Sequence, residues 1–543
     1  MHRITFVFIG LLVGLSSHAQ TELFKKSSSY SHQDSLRGSI TPERAWWDLK
    51  HYDLFVSVDV DARSISGKNI VRYEVLESMD VMQIDLQSPM KIIRVLQDGK
   101  TLNVIDDGNA HFIQLKRKQR KGETGEITIE FAGTPLEAAN APWDGGFSWK
   151  NDSNGKPFVA TSNQVIGASL WWPCKDHAYD EPDEGQLFSI NVPEDLIAVS
   201  NGRLVSTETR DNGTKTFIWK VINPINNYGT SINIGEYVNF KDTYRGEQGD
   251  LDMDFWVLRE NEEKAREHFG DQVPKTLEAF EHWFGPYPFY EDSYKLVEVP
   301  YLGMEHQSAV TYGNGYQNGF LGRGSVWGLK WDYIIIHETA HEWFANNLTY
   351  KDAADMWIHE GFACYSENLF TEYFYGKKAG AEYVIGLRRR IRNQEPLIGD
   401  YDVNKEGSGD MYNKGANILH TLRQIVNDDE KWRATLRGLN KNFYHQTVTT
   451  KQVEDYISKS VGIDLRPFFD QYLRDHRIPT LEYKVEEGTV SYRWADVIDS
   501  FTMPVDVLIN NQTKRLNPIG EWQDVSGFSI EVDFDYYVNT RKL

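Results

Sequence analysis

The chain of 543 residues has only two cysteines, Cys174 and Cys364. So few thiols exclude a disulfide framework, and both read as buried small residues rather than a pair. Long hydrophobic runs are also missing. The apolar run from Ile4 to Leu15 falls short of the roughly 20 residues a membrane-spanning helix needs, and no second candidate follows it. Stable membrane insertion is therefore not expected. Positive charge is scarce, with 58 Lys and Arg against 79 Asp and Glu and a net charge of -21. Basic runs are short, Lys116 to Lys121 being an example. A nucleic-acid surface needs a basic patch, so that class is set aside. There are no internal repeats.

What is present points to a large exported globular protein. Apolar residues make up 40% and aromatics 13% of the chain, enough to fill sizeable cores. The length predicts two to four domains. At the N-terminus, His2 and Arg3 precede the apolar run, and Ser17-His18-Ala19 fits a small-x-small cleavage site. Residues 1–19 are expected to be a signal peptide, giving a periplasmic or extracellular location. The Ser-rich stretch 20–45 reads as a polar, mobile leader.

The pattern then divides. From 46 to 258 it is strand-like, with period-two alternation in His51 to Val60, Ile127 to Phe131 and Phe188 to Val192. From 259 to 478 it is mixed and mainly helical, with helices predicted over Glu262 to Phe284, Trp331 to Asn346, Ile358 to Tyr375, Ala416 to Val426 and Lys451 to Ser460. From 479 to 543 strands return. The expected fold class is multidomain α+β: an all-β N-terminal domain, a mostly α catalytic domain and a small C-terminal β sandwich-like domain.

One motif carries chemistry. In His337-Glu338-Thr339-Ala340-His341 the histidines lie one helical turn apart, on one face. Two imidazoles there can share a zinc ion. Glu338, on the flank, can take a proton from water activated at the metal. Glu360 follows on a second predicted helix and completes a His, His, Glu set with one position open, which is a catalytic arrangement. Cys364, one turn beyond Glu360, is a weaker candidate ligand. Phe344 and Asn347 stand where a metzincin would carry glycine and a third histidine, so that reading is rejected.

The wider text is recognisable. His337-Glu338-Thr339-Ala340-His341-Glu342-Trp343-Phe344-Ala345-Asn346, then Trp357-Ile358-His359-Glu360-Gly361-Phe362-Ala363, resembles the M1 family of zinc aminopeptidases, whose catalytic domain is thermolysin-like. Gly303-Met304-Glu305-His306-Gln307 is similar to that family's exopeptidase motif, and Tyr412-Asn413-Lys414-Gly415 to its Y-x-K-G motif. Trp172-Pro173-Cys174 with Glu181-Pro182-Asp183 is similar to its N-terminal-domain signature. The resemblance implies one Zn2+ on His337, His341 and Glu360, with Glu338 as general base and Tyr412 as hydrogen-bond donor to the oxyanion. It implies that Glu305 and Gln164 contact the substrate's free α-amine, and that the backbone of Gly303 and Met304 pairs with the peptide. The implied substrates are peptides with a free N-terminus.

Four positions depart from the family pattern: His306 for Asn, Glu342 for Gln, Ala345 for Gly and His359 for Asn. His306 and Glu342 are expected to alter the electrostatics of the amine site. The sequence ends without the large C-terminal helical domain of many members, which predicts a more open cleft. Two other readings compete, beside a third from family precedent, a hydrolase with a non-peptide substrate. One is a thermolysin-type endopeptidase, disfavoured by Glu305. The other is a catalytically silent binding protein on this fold, disfavoured because every expected ligand and the base are present.

Overall fold

The computed structural model describes residues 30–543. The signal peptide expected over 1–19 lies outside them, as does the first part of the expected leader. Among the described residues no helix is long and apolar enough to cross a membrane.

The latter part of that leader differs from expectation. Residues 30–45 hold two short helices, α1 (His32–Gly38) and α2 (Pro42–Ala45). Ser31 and Asp34 close a capping box on α1. The polar composition here serves ion pairs rather than solvent. Arg44 is fully buried on Asp85, and Arg37 pairs with Asp176.

The N-terminal β region is built on an eight-stranded sheet. Its central strand, Trp47–Asp59, runs parallel to Gln186–Pro193 and antiparallel to Ser64–Val75. The alternation seen in the sequence becomes burial of Leu49, Tyr52, Leu54, Val56 and Val58, with a bulge between Leu49 and His51 resetting the period.

The hairpin Tyr237–Gly246 and Gly249–Leu258 departs from the expected boundary at 258. It belongs to a second, five-stranded sheet with Tyr294–Glu298, Val310–Tyr312 and Gly303–Met304. Its inner strand pairs parallel with Tyr294–Glu298 (Met253 opposite Tyr294), so its partner lies beyond an intervening helix, α3 (Glu262–Phe284). Local pattern carries no trace of that pairing. Gly303–Met304 forms the sheet's far edge, antiparallel to Val310–Tyr312.

Four helices frame the space beside that edge: α4 (Tyr333–Ala340), α5 (Trp357–Tyr375), α6 (Lys377–Leu387) and α7 (Asn413–Val426). The C-terminal strands form a four-stranded and a three-stranded sheet. Their inner residues, such as Leu481, Trp494 and Val507, share one continuous core with these helices, whereas the N-terminal sheet has its own.

Candidate active site

The first metal-site helix, α4, is fixed at its start by Asp332. The fully buried Asp332 carboxylate accepts from the backbone N–H of Ile334 and Ile335. It also accepts from the Tyr312 hydroxyl at 2.8 Å and lies 2.7 Å from the His268 ring. The helix was expected to run to Asn346, but its α-helical part ends at Ala340, and Glu342–Asn347 follow as a π-helical turn broken at Phe344 and Ala345. Phe344 leaves helical geometry at φ -124°, ψ 72°, and its carbonyl turns back onto His341 Nδ1 at 3.0 Å. The helix gives up its own hydrogen bonding to orient one imidazole.

The other imidazole is oriented from α5. His337 Nδ1 lies 2.8 Å from Glu367 Oε1, and the Tyr383 hydroxyl donates to the same carboxylate. Both histidines therefore turn Nε2 inward. Each Nε2 stands 3.5 Å from Glu360 Oε2, an edge length suited to three ligands around one ion. His337, His341 and Glu360 are the group among the described residues able to hold a metal. Glu360 Oε2 is buried and has no hydrogen-bond partner. A buried carboxylate oxygen without a partner is costly, and a cation at this point satisfies it, so the donor set fits zinc.

The proton balance agrees. Burial pushes the His341 imidazole down, but the Glu360 carboxylate beside it more than reverses this, taking it up to about 9. His337 rises likewise against its burial, through Glu360 and Glu367. Burial would raise Glu360, yet the two imidazoles hold it well below the usual carboxylate range. The pocket thus gathers positive charge where the ligands converge. Glu338 lines the same pocket, and burial pushes it up to about 7. A carboxylate tuned there can both accept and return a proton near neutral pH.

Tyr412 is brought in by two glycines. It caps α7, and a Cβ on Gly415 would sit 2.7 Å from the Gly361 Cα. Only glycine lets α7 begin this close to α5, which places Tyr412 in the pocket with Glu360. Burial and the surrounding carboxylates hold its phenol well above the usual range, so it keeps its proton.

Gly303 also has a steric role. A Cβ there would meet the Ile334 side chain at 2.6 Å, so glycine lets the sheet edge lie against α4. Glu305 follows it, 2% exposed, its pKa raised first by burial and then by the nearby Glu360 carboxylate. The Gln164 side-chain amide spends both its hydrogens here, donating to Glu305 Oε1 at 2.7 Å and Glu360 Oε1 at 2.8 Å. Gln164 sits on a strained turn. Val165 has φ +64°, a left-handed conformation that a β-branched residue rarely adopts. Asn404 donates to the Val165 carbonyl, and Arg37 and Gln87 donate to that of Ile166.

All nine residues named from the sequence (His337, His341, Glu360, Glu338, Tyr412, Glu305, Gly303, Met304 and Gln164) line one cavity of about 130 Å³. His306, Glu342 and His359 do not line it. His359 Nε2 instead accepts from the Tyr350 N–H, and Glu342 accepts from the Ser308 N–H. Both act behind the wall as backbone supports, and His306 is fully buried there too. Cys364 is buried off the ligand group. The sequence reading missed Glu367, whose signal was its place two turns after Glu360 on the same helical face. It also missed Tyr333, Phe320, Pro142, Trp143, Leu302 and Ile334, which complete the lining.

Comparison with known proteins agrees with this geometry. The Peptidase M1 N-terminal domain model matches residues 49–228, and the Peptidase family M1 domain model matches 270–472. Probable aminopeptidase 1 of Sulfurisphaera tokodaii is 21% identical, with 91% of this chain and 62% of the relative covered. Aminopeptidase N of Lactococcus lactis is 22% identical, covering 81% of this chain and 52% of the relative. The chain thus spans little more than half the length of these relatives. The crystal structure of an M1 zinc metallopeptidase from Deinococcus radiodurans shares the fold, with a TM-score of 0.67 at 21% identity over 80% of this chain and 95% of that one. With both domain models matched in order and the ligand set brought to one point, the chain belongs to peptidase family M1.

Proposed function

We propose that the protein is a zinc aminopeptidase, releasing the N-terminal residue of peptides. The observation that carries this reading is Glu305. It is a buried carboxylate beside the ligand group, and among the described residues no lysine or arginine forms an ion pair with it. A buried charge needs a partner, and a protonated α-amine supplies one. An internal peptide segment does not, which disfavours the endopeptidase reading.

The residues divide the work. His337, His341 and Glu360 hold the zinc, which supplies Lewis acidity when bound. Glu338 takes the proton from the attacking water and passes it to the leaving amine. The Tyr412 O–H is directed at the oxygen on which charge develops. Gln164 keeps Glu305 turned toward the amine. The open edge at Gly303–Met304 offers backbone groups to an extended peptide.

The test is hydrolysis of an aminoacyl anilide by the zinc-loaded protein, beside its N-acetylated analogue and a chelated sample. Cleavage of the free-amine substrate alone, abolished by chelator, is expected. Equal cleavage of the acetylated substrate would overturn the reading. Export rests on the sequence of residues 1–19, and fractionation of expressing cells tests it.

A further inference from the structure

A second cavity, of about 380 Å³, opens beside the metal site. The two share Phe320 and Tyr333 in their linings, and Glu305 and Gln164 belong to the metal-site cavity alone. Tyr333 lies one turn before His337 on α4, its ring stacked on that imidazole at 5.3 Å between centroids. The second cavity therefore joins the site at Phe320 and Tyr333, on the His337 side and not at the amine anchor. A peptide held by its amine at Glu305 sends its downstream residues that way. This direction rests on the aminopeptidase reading above.

The floor of the cavity is aromatic, and its rim is cationic. Arg323, Arg389 and Arg390 line it, and none of them forms an ion pair among the described residues. Exposed arginines elsewhere are mixed: Arg63 sits on Glu137, Arg72 on Glu126 and Arg94 on Glu130, whereas Arg120, Arg210, Arg245, Arg259 and Arg392 form no ion pair among the described residues. What sets these three apart is that they line one hollow. In a chain of net charge -21, three uncompensated guanidinium groups around one hollow are not explained by a general surplus of positive charge.

We infer that this cavity is a subsite for a carboxylate on the downstream part of the substrate, with Arg323, Arg389 and Arg390 as its binding groups. The carboxylate is either the C-terminus of a short peptide or an acidic side chain, and guanidinium groups take both in the same way.

The cavity can be narrowed from α6. Gly386 lines it, and a Cβ there meets nothing within 4 Å. G386L puts a better helix former into the helix and an apolar side chain at the edge of the hollow.

The experiment compares peptides of two to six residues as free acids, as C-terminal amides, and as amides carrying a downstream aspartate. Binding to E338Q is read by titration calorimetry, and kcat/KM by the wild type. At the length that reaches the arginines, the free acid or the aspartate amide is expected to outbind the neutral amide by about tenfold. Which of the two does so identifies the source of the carboxylate. In R389Q/R390Q and in G386L the charged-to-neutral ratio is expected to fall toward one. Equal binding of charged and neutral peptides at every length overturns the inference. So does a variant that weakens both alike and keeps their ratio, because that marks a structural role. Failure of the wild type to release any N-terminal residue would defeat the aminopeptidase reading, while the binding comparison still decides the subsite.

Discussion

Arg37→Ala is expected to destabilise the protein and loosen its amine site together. The Arg37 guanidinium pairs with the Asp176 carboxylate and donates to the carbonyls of Asp176 at 3.0 Å and Ile166 at 3.1 Å. Asp176 is 5% exposed. Burial pushes its carboxyl up, but Arg37 and the Ser169 N–H hold it below the usual range, so it is charged in the folded protein. Removing the arginine leaves that charge buried with one backbone donor, at 3.0 Å from Ser169. Breaking a buried pair in this way costs about 3–5 kcal/mol. The Arg37 side chain is 20% exposed, so water reaches the site and the lower end, about 3 kcal/mol, applies.

The assay is urea unfolding followed by tryptophan fluorescence. R37A/D176N should recover much of the loss, since the stranded charge is gone. The sign with pH also follows. A carboxyl whose pKa is depressed on folding stabilises above its unfolded value of about 3.9 and stops doing so below it. In R37A burial raises the Asp176 carboxyl instead, so the deficit should start to shrink above about pH 4, as the variant takes up its proton, and go on shrinking as pH falls toward the wild-type folded value. On the functional side, the Ile166 carbonyl keeps only the Gln87 donor at 2.7 Å. The left-handed Val165 then has less to hold it. Gln164 swings away from Glu305, and KM for free-amine substrates should rise more than kcat falls. A loss under about 1 kcal/mol at pH 7, or no recovery in the double variant, would refute the account.

E338Q should retain zinc by metal analysis, because it is no ligand, and lose about 10²–10⁴-fold in kcat. Retained turnover would remove Glu338 as the base. Y412F should lose about 10²–10³-fold in kcat with KM little changed, and a KM effect alone would move Tyr412 to substrate binding. E181Q should flatten the pH dependence of stability. Burial pushes Glu181 up to about 8. Thr349 Oγ1 lies 2.6 Å from the Ala345 carbonyl and 2.8 Å from Glu181. Its single proton is shared between two acceptors, so this one neutral donor offsets little of the burial of Glu181. A carboxyl raised on folding stabilises fully below its unfolded pKa and loses this as pH rises through the folded one. The wild type should thus weaken between about pH 4.5 and 8, by up to about 5 kcal/mol, relative to E181Q. Parallel urea midpoints across that range would contradict it.

What was legible in the sequence was whatever one helix or one strand carries by itself. The spacing of His337 and His341 fixes a shared face before any tertiary structure exists, and the alternation of Trp47–Asp59 fixes its inner side. What was not legible depends on a partner elsewhere. The hairpin 237–258 reads as a strand pair wherever it lies, and only Tyr294–Glu298 assigns it to the catalytic sheet. Residues 30–45 look solvated because their arginines are written without the aspartates that receive them. The run Arg388-Arg389-Arg390 makes the same point more sharply. In sequence it is one basic cluster. In the fold, Arg388 turns to the carbonyls of Phe534 and Asp535 and ties the C-terminal strands to the catalytic helices. Its two neighbours face an aromatic hollow beside the metal site. Identical residues thus divide between holding domains together and meeting a substrate, and the divide is set by what each one fails to pair with.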